Sequence, residues 1–169
     1  AALWVIGVDD GKLRQLHPAA GARGPIHGAR FSEDGERVFV ASEQEGGRGG
    51  LLLALDARSG RELARFAHPA PLRDLQVAPE GGRVAVLAGA PGAAELRLLD
   101  ARTLKQRAHV RLPPGELELG HFSEDGAQLT LTWREPGGRS NIFVLDVDSG
   151  RVRALRKDGA PSLPSPSPR

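Results

Sequence analysis

The sequence contains no cysteine, methionine or tyrosine, and aromatic residues make up only 4% of its 169 positions. Without cysteine the chain has no disulfide, no thiolate metal ligand and no cysteine nucleophile, so packing and hydrogen bonds must stabilise it. No apolar run approaches the roughly 20 residues that a membrane helix needs. These absences predict a soluble domain that does not enter a membrane.

The sequence also lacks a large excess of charge of either sign. It has 23 lysine and arginine residues and 21 aspartate and glutamate residues, for a net charge of +2. The densest basic cluster, Arg151, Arg153, Arg156 and Lys157, is short. A solvated strand face explains such a cluster better than a nucleic-acid site does. We therefore expect no nucleic-acid partner.

The chain begins Ala-Ala-Leu-Trp, without an initiator methionine or a basic and apolar leader. We therefore expect a polypeptide that was processed or cut from a longer protein.

What the sequence does contain is turn residues, 22 glycines and 13 prolines, and they recur with a period. The string FSEDG occupies 31–35 and again 122–126, and VAPEG at 77–81 lies between them, giving steps of 46 and 45 residues. A second marker, LDARSG at 55–60, LDARTL at 99–104 and LDVDSG at 145–150, carries aspartates 44 and 46 residues apart, Asp56, Asp100 and Asp146. We align Asp9, 47 residues before Asp56, with this marker. Two markers with one period indicate a repeat architecture.

Each unit contains four short runs of strand character separated by turn signals. The second runs span 37–42, 83–88 and 128–134, and the third runs span 51–56, 95–100 and 141–146. The fourth runs span 61–67, 105–112 and 151–157. Four short strands joined by hairpins form one antiparallel sheet, and such a sheet repeated every 40–50 residues is typical of the blades of a β-propeller.

The period divides the chain into three blades and a remainder. We predict blades at 24–69, 70–115 and 116–157, the last two strands of a further blade within 1–23, and a Pro/Ser-rich linker or tail at 158–169. About three and a half blades do not close a ring, since four is the usual minimum. A partial all-β propeller should expose Val, Leu and Phe on the outer faces of its first and last blades and self-associate through them.

The F-S-x-D-G turn, the alternating strand after it and the L-x-x-L-D strand end resemble the repeats of TolB-like propellers and prolyl-oligopeptidase-type serine peptidases. Two turns depart from that family, with Glu33 and Glu124 where it usually has Pro, and the middle turn has Glu80 in place of Asp. The stretch from RLPPGELELGHF to LDVDSGRVRALRKDG looks like the final propeller segment of bacterial prolyl-oligopeptidase-type enzymes.

This resemblance implies a function that depends on a second domain, which this sequence does not contain. In that family the linker leads into an α/β-hydrolase domain, and the propeller restricts and guides the access of short peptides to it. We therefore expect a non-catalytic propeller portion of a serine peptidase, inactive alone, with the hydrolase domain and peptide substrates as partners and no cofactor. The alternative is a TolB-like interaction scaffold without enzymatic activity. Neither reading decides between cytoplasm and periplasm.

Catalytic and metal motifs are weak. Ser140 in GRSNI has Ile where a G-x-S-x-G nucleophile elbow needs its second Gly, and no helix is expected after it. The histidines show no H-x-x-x-H or H-E-x-x-H spacing and fit structural or surface roles; they are His17, His27, His68, His109 and His121. That distribution also disfavours a propeller lactonase or dehydrogenase with an axial metal.

The remaining candidates have ordinary structural explanations. Asp146, Asp148 and Gly150 faintly resemble a calcium loop but fit a hairpin turn better. Trp4 and Trp133 lie in strand patterns, which favours packing between blades over a ligand-stacking platform. The GGRGG segment at 46–50 lacks the end of a phosphate loop and fits a flexible hairpin loop. We predict no catalytic, cofactor-binding or metal-binding residue in this chain.

Overall fold

The computed structural model of the protein describes residues 3–16, 24–47, 49–90, 92–111, 114–135 and 138–155. His17, Arg156, Lys157 and the predicted linker at 158–169 lie outside the described residues. Within these ranges every regular element is a β-strand. The strands are β1 (Leu3–Ile6), β2 (Leu13–Leu16), β3 (Ile26–Phe31), β4 (Arg37–Glu43), β5 (Gly50–Asp56), β6 (Glu62–His68), β7 (Leu72–Val77), β8 (Arg83–Ala88), β9 (Glu95–Asp100), β10 (Gln106–Arg111), β11 (Glu116–Phe122), β12 (Gln128–Arg134), β13 (Ser140–Asp146) and β14 (Val152–Ala154).

The strands pair in chain order. A two-stranded half sheet, β1–β2, precedes three antiparallel sheets of four strands: the first complete sheet β3–β6, the second β7–β10 and the third β11–β14. Each sheet is a meander whose neighbours along the chain are neighbours in space. The fold is therefore the predicted one, a partial β-propeller whose sheets do not close into a ring.

Polar side chains fix the turn between the first and second strands. Ser32 Oγ donates to Asp34 Oδ1 at 2.5 Å, and the same carboxylate oxygen accepts the backbone N–H of Glu36 at 3.0 Å. Gly35 has φ +68°, a left-handed conformation that glycine adopts without a steric penalty. Ser123 and Asp125 repeat this arrangement in the third complete sheet. The repeated S-x-D-G string thus encodes one hydrogen-bonded turn.

The middle turn is built differently because Ala78 replaces the serine and Glu80 replaces the aspartate. The longer Glu80 side chain reaches the next sheet, where its carboxylate fills the space that a Cβ on Gly126 would need. Glu80 Oε1 is also 3.6 Å from Arg83 Nη1. The substitution exchanges a bond within the turn for contacts between sheets.

The turn between the third and fourth strands uses an aspartate as its acceptor. Asp56 Oδ1 accepts the hydroxyl of Ser59 at 2.7 Å and the backbone N–H groups of Ser59 and Arg58 at 2.7 and 3.1 Å. Asp100 with Thr103, and Asp146 with Ser149, repeat these bonds. The second sequence marker is therefore the N-terminal residue of a side-chain-capped turn.

The half sheet departs from this marker, and our alignment of Asp9 with Asp56 is wrong. Gly7 N bonds Lys12 O and Gly11 N bonds Gly7 O, the same pattern that Asp56 makes with Arg61 and Gly60. Gly7 therefore occupies the aspartate position, and Asp10 supplies a carboxylate by accepting the backbone N–H of Lys12 at 3.1 Å.

Apolar side chains between successive sheets form three cores. The core under the half sheet contains Leu16, Val38, Val40, Leu51, Leu53, Leu55 and Ala57, with Leu3, Val5, Ile26 and Ala29 packed against it. The core between the first and second complete sheets contains Phe39, Ala41, Leu52, Ala54, Leu72, Leu75, Val84, Val86, Ala88, Leu99, Ala101 and Leu104. The third core contains Ala85, Leu87, Ala94, Leu96, Leu98, Val110, Leu117, Leu119, Leu129, Leu131, Trp133, Phe143, Leu145 and Val147.

The first strands of the complete sheets lie side by side, since β7 contacts both β3 and β11. We call this row of first strands, β3, β7 and β11, the inner wall. Asp74 in β7 connects two of them, because its Oδ2 accepts the backbone N–H of Leu119 in β11 at 3.1 Å. On the other side, a Cβ on Gly28 in β3 would lie 3.6 Å from Leu75 Cδ2. The sheets consequently fan outward from a shared wall.

The two outer faces of the array differ in how much of the expected apolar surface they expose. Trp4, Ile6 and Leu13 lie on the outer face of the half sheet with 56%, 59% and 64% of their surface exposed. The outer face of the third complete sheet carries Thr130 and Thr132 on β12 beside Ile142 on β13, which is 50% exposed. Among the described residues, the half sheet therefore presents the broader apolar face.

Candidate functional site

A cleft lies at the turn end, which we define as the end carrying the turns between first and second and between third and fourth strands. It has a volume of about 510 Å³ and lies between the second and third complete sheets. Its lining is Glu80, Gly82, Arg83, Leu98, Leu99, Asp100, Arg107, Ala108, Val147 and Asp148.

Arg83 spans one wall of this cleft. Its Nη2 atom donates to Asp148 Oδ1 at 2.5 Å, and Nη1 lies 3.5 Å from the carbonyl oxygen of Gly126. Arg37, the corresponding residue of β4, donates from Nη1 to the carbonyl oxygens of Ala101 and Arg102 at 3.2 Å each. At each of the two interfaces between complete sheets, the arginine that begins the second strand of one sheet therefore forms hydrogen bonds with the next sheet.

Asp100 and Arg107 form the second charged pair of the cleft, with Arg107 Nη2 donating to Asp100 Oδ2 at 2.7 Å. The Arg107 guanidinium, followed by the hydroxyl and N–H of Thr103, holds the pKa of Asp100 far below its usual range. Asp100 is therefore ionised at neutral pH and has no proton to give as a general acid. The cleft is equipped for ion pairing rather than for proton transfer.

Ser140 lies at the first position of β13, paired with Arg134, and is exposed. A nucleophile elbow places its serine at a sharp turn between a strand and a helix. Because Ser140 begins a strand instead, its surroundings do not have the geometry of such an elbow.

The four described histidines lie in separate strands. His27 Nε2 is 3.2 Å from Glu43 Oε1 near the surface. His68 is buried, accepts the backbone N–H of Ala70 on Nδ1 at 3.1 Å, and lies 3.9 Å from Glu95 Oε2 through Nε2. His109 and His121 lie in β10 and β11. No group of three or more possible metal ligands occurs among the residues the structure describes.

The carboxylates of the calcium-like segment are used in other contacts. Asp146 Oδ1 accepts the hydroxyl of Ser149 at 2.6 Å and its N–H at 2.8 Å, and these bonds lower the pKa of Asp146. Asp148 binds Arg83 in the neighbouring sheet. The segment is thus a capped turn with one contact between sheets.

The two tryptophans have different surroundings. Trp133 is buried between the second and third complete sheets, meets Phe143 edge-on with ring centroids 6.1 Å apart, and donates from Nε1 to the carbonyl oxygen of Pro114 at 3.3 Å. The prediction of packing between blades is right for Trp133 and wrong for Trp4. Trp4 points away from the core because its strand neighbours Leu3 and Val5 take the inward positions.

Arg48 of the GGRGG segment lies outside the described residues. The glycines on either side of it connect β4 to β5, as expected for a hairpin loop, and some of them are tightly packed. A Cβ on Gly46 or Gly47 would meet no other atom within 4 Å, whereas a Cβ on Gly49 would collide with the carbonyl oxygen of His68. A Cβ on Gly50 would lie 2.5 Å from Leu72 Cγ and 2.6 Å from Leu72 N. Gly49 permits a close approach to β6 of its own sheet, and Gly50 permits a close approach to β7 of the next sheet, so these two glycines are needed for packing.

The contacts between sheets were the features that motif reading missed. Arg37 and Arg83 occupy the same position of two repeats, and that repetition was the available signal in the sequence. Their partners lie 64, 65 and 43 residues further along the chain, beyond the reach of any local motif.

No family model and no curated protein matches the chain. Among solved structures, TolB from Acinetobacter baumannii is similar over 94% of this chain and 38% of its own, with 19% identity and a TM-score of 0.61. The acylaminoacyl peptidase of Pyrococcus horikoshii is similar over 92% of this chain and 28% of its own, with 10% identity and a TM-score of 0.68. A putative dipeptidyl aminopeptidase IV from Bacteroides ovatus is similar over 89% of this chain and 25% of its own, with 13% identity and a TM-score of 0.66.

At these identities the likeness shows the fold alone. The chain spans about a quarter to a half of the length of the solved structures it matches. Across the described ranges, no helix is long and apolar enough to cross a membrane.

Proposed function

We propose that the chain is the non-catalytic propeller portion of a prolyl-oligopeptidase-like serine peptidase, restricting and guiding peptide access to a hydrolase domain elsewhere in the parent protein. The observation that carries this proposal is the inner wall of first strands β3, β7 and β11, fixed by the Asp74 carboxylate on Leu119 N–H. A rigid wall of this kind can bound an opening and limit the size of what passes.

The chemistry of the described residues agrees with a role outside catalysis. Ser140 lies on a strand, and two carboxylates of the cleft pair with arginine, Asp148 with Arg83 and Asp100 with Arg107. In this proposal the reacting groups come from the hydrolase domain, and the propeller contributes shape and polar contacts.

The test compares the isolated chain with its parent protein. A fluorophosphonate probe should leave the isolated chain unlabelled and should label one serine of the parent. Removing residues 1–157 from the parent should raise the cleavage of long peptides relative to short ones. Stoichiometric labelling of the isolated chain, or size selectivity that does not change on deletion, contradicts the proposal.

The second candidate is a TolB-like interaction scaffold without an attached enzyme. The exposed apolar face of Trp4, Ile6 and Leu13 favours it, because large exposed apolar patches mark interaction sites. The parent reading frame separates the two. A G-x-S-x-G motif followed by Asp and His within about 250 residues supports the peptidase, and its absence supports the scaffold.

A further inference from the structure

An apolar groove runs along the side of the half sheet, between β1 and the inner strand of the first complete sheet. It has a volume of about 250 Å³. Its lining is Leu3, Trp4, Val5, Ile6, Ala29, Arg30, Phe31 and Val38. The groove is continuous with the core under the half sheet, to which Leu3, Val5, Ala29 and Val38 also belong.

The repeat shows which element normally occupies this position. The half sheet corresponds to the third and fourth strands of a complete sheet, and each third strand pairs with a second strand, as β5 does with β4 and β9 with β8. Within the described part of the chain, β1 pairs with β2 alone. The opposite edge of β1 therefore carries backbone donors and acceptors suited to another strand.

The first complete sheet, which faces the groove, also differs from the two later sheets at the end of its first strand. Phe31 is 51% exposed, whereas its equivalents Val77 and Phe122 are partly buried against the second and third cores. In those cores the preceding sheet contributes two alternate residues of its second strand. They are Phe39 and Ala41 in one core and Ala85 and Leu87 in the other.

We propose that this groove binds a β-hairpin of the kind formed by the first two strands of the repeat. One of its strands pairs antiparallel with β1, and two alternate apolar side chains of that strand cover the exposed ring of Phe31. Backbone hydrogen bonds supply affinity and the alternate side chains supply selectivity, as in other cases of strand addition. This inference does not depend on the proposed peptidase function.

The chain itself supplies a matched pair of probes. A synthetic peptide of residues 24–43 contains β3 and β4 and would turn Phe39 and Ala41 toward the groove. A peptide of residues 116–134 contains β11 and β12 with the same turn, but the equivalent positions are Thr130 and Thr132. The first peptide should bind and the second should bind at least tenfold more weakly, because Thr130 and Thr132 offer less apolar surface than Phe39 and Ala41. The Thr130 hydroxyl is already bonded to His121 within the second peptide, so its burial adds no new hydrogen bond.

Binding is measured on the full chain by backbone NMR with hydrogen exchange. At saturating 24–43 peptide, the β1 amides that point away from β2 should exchange at least fivefold more slowly. Phe31→Ala should weaken peptide binding at least fivefold. Ile142→Ala, which truncates an equally exposed side chain on the third complete sheet, should leave binding unchanged.

Three results overturn the inference. The first is an unchanged exchange rate at β1 with the 24–43 peptide. The second is equal binding of the two peptides, which would indicate unspecific apolar contact. The third is protection of β1 that rises with protein concentration without peptide, which would make a second copy of the chain the occupant.

Discussion

The two ends of this array are built from the same repeat but present different chemistry. The half sheet exposes Trp4, Ile6 and Leu13, whereas the third complete sheet turns Thr130 and Thr132 outward on its second strand. Among the described residues, β1 also has an unpaired edge beside an apolar groove. The difference shows that the outward positions of the repeat vary in polarity, while its inward positions stay apolar at both ends.

The largest expected effect is the loss of stability when a buried leucine is truncated, and it should differ between the two ends of the array. Leu131 in β12 is 1% exposed within the third core, and Leu131→Ala should lower the free energy of unfolding by about 2–5 kcal/mol. Leu16→Ala removes an equally buried side chain from under the half sheet. Because a two-stranded sheet is marginally stable, this variant should mainly undock β1 and β2.

Denaturant unfolding and hydrogen exchange measure the two outcomes. Leu131→Ala should move the global midpoint, and Leu16→Ala should accelerate exchange in β1 and β2 with a smaller shift of that midpoint. Equal global destabilisation by both variants would show that the half sheet is as strongly integrated as the third complete sheet.

The second prediction concerns variants that make the outer face of the half sheet polar and the outer face of the third complete sheet apolar. We expect the chain to self-associate through the half sheet, and the double variant Ile6→Thr with Leu13→Thr should weaken association at least tenfold. The reciprocal variant, Thr130→Ile with Thr132→Leu, should create association at the other end. Sedimentation velocity over a concentration series checks both, and a wild-type chain that stays monomeric at millimolar concentration rules out the expectation.

A smaller effect concerns the arginine that joins the last two sheets. Arg83→Gln should lower the free energy of unfolding by up to about 1 kcal/mol, because a partly exposed ion pair contributes little and salt screens it. Arg153→Gln on β14 is the control and should change stability less. Thermal unfolding at low and high salt is the measurement, and a loss of stability that is independent of salt would assign the effect to packing instead.

The smallest expected effect is a change in acid sensitivity at the turns. Bonds from Ser149 lower the pKa of Asp146, so its stabilising contribution is complete above about pH 4 and is lost as the pH falls through the lowered value. Asp146→Asn does not titrate, so the stability difference between it and the wild type should shrink as the pH falls from 5 to 2. A constant difference over this range would contradict the assignment.

The strands and their order could be predicted from the sequence because they depend on local signals. The bounds of β8, β9 and β12 are those expected from alternating runs between turn residues. The S-x-D-G turns were also accessible, since Ser32 and Asp34 bond within five residues. Periodicity then fixed the number of sheets.

The features that escaped prediction depend on contacts between sheets. The position of Trp4 follows from which strand face meets the neighbouring sheet, and a four-residue strand with apolar residues on both faces does not reveal it. The close packing of Gly49 and Gly50 depends on His68 and Leu72 from other elements. In the half-sheet turn, Gly7 takes the position that an aspartate takes in the other repeats. Asp9 and Asp10 follow it closely, and an alignment by composition therefore chose Asp9 instead of Gly7.

The Glu80 substitution has a consequence for the cooperativity of unfolding. In linear repeat arrays, stability is divided between the intrinsic free energy of each unit and the coupling between nearest neighbours. By giving up the serine–aspartate bond within its own turn and contacting Gly126 in the next, the middle unit moves free energy from the first quantity to the second. We therefore expect the second and third complete sheets to unfold as one cooperative block.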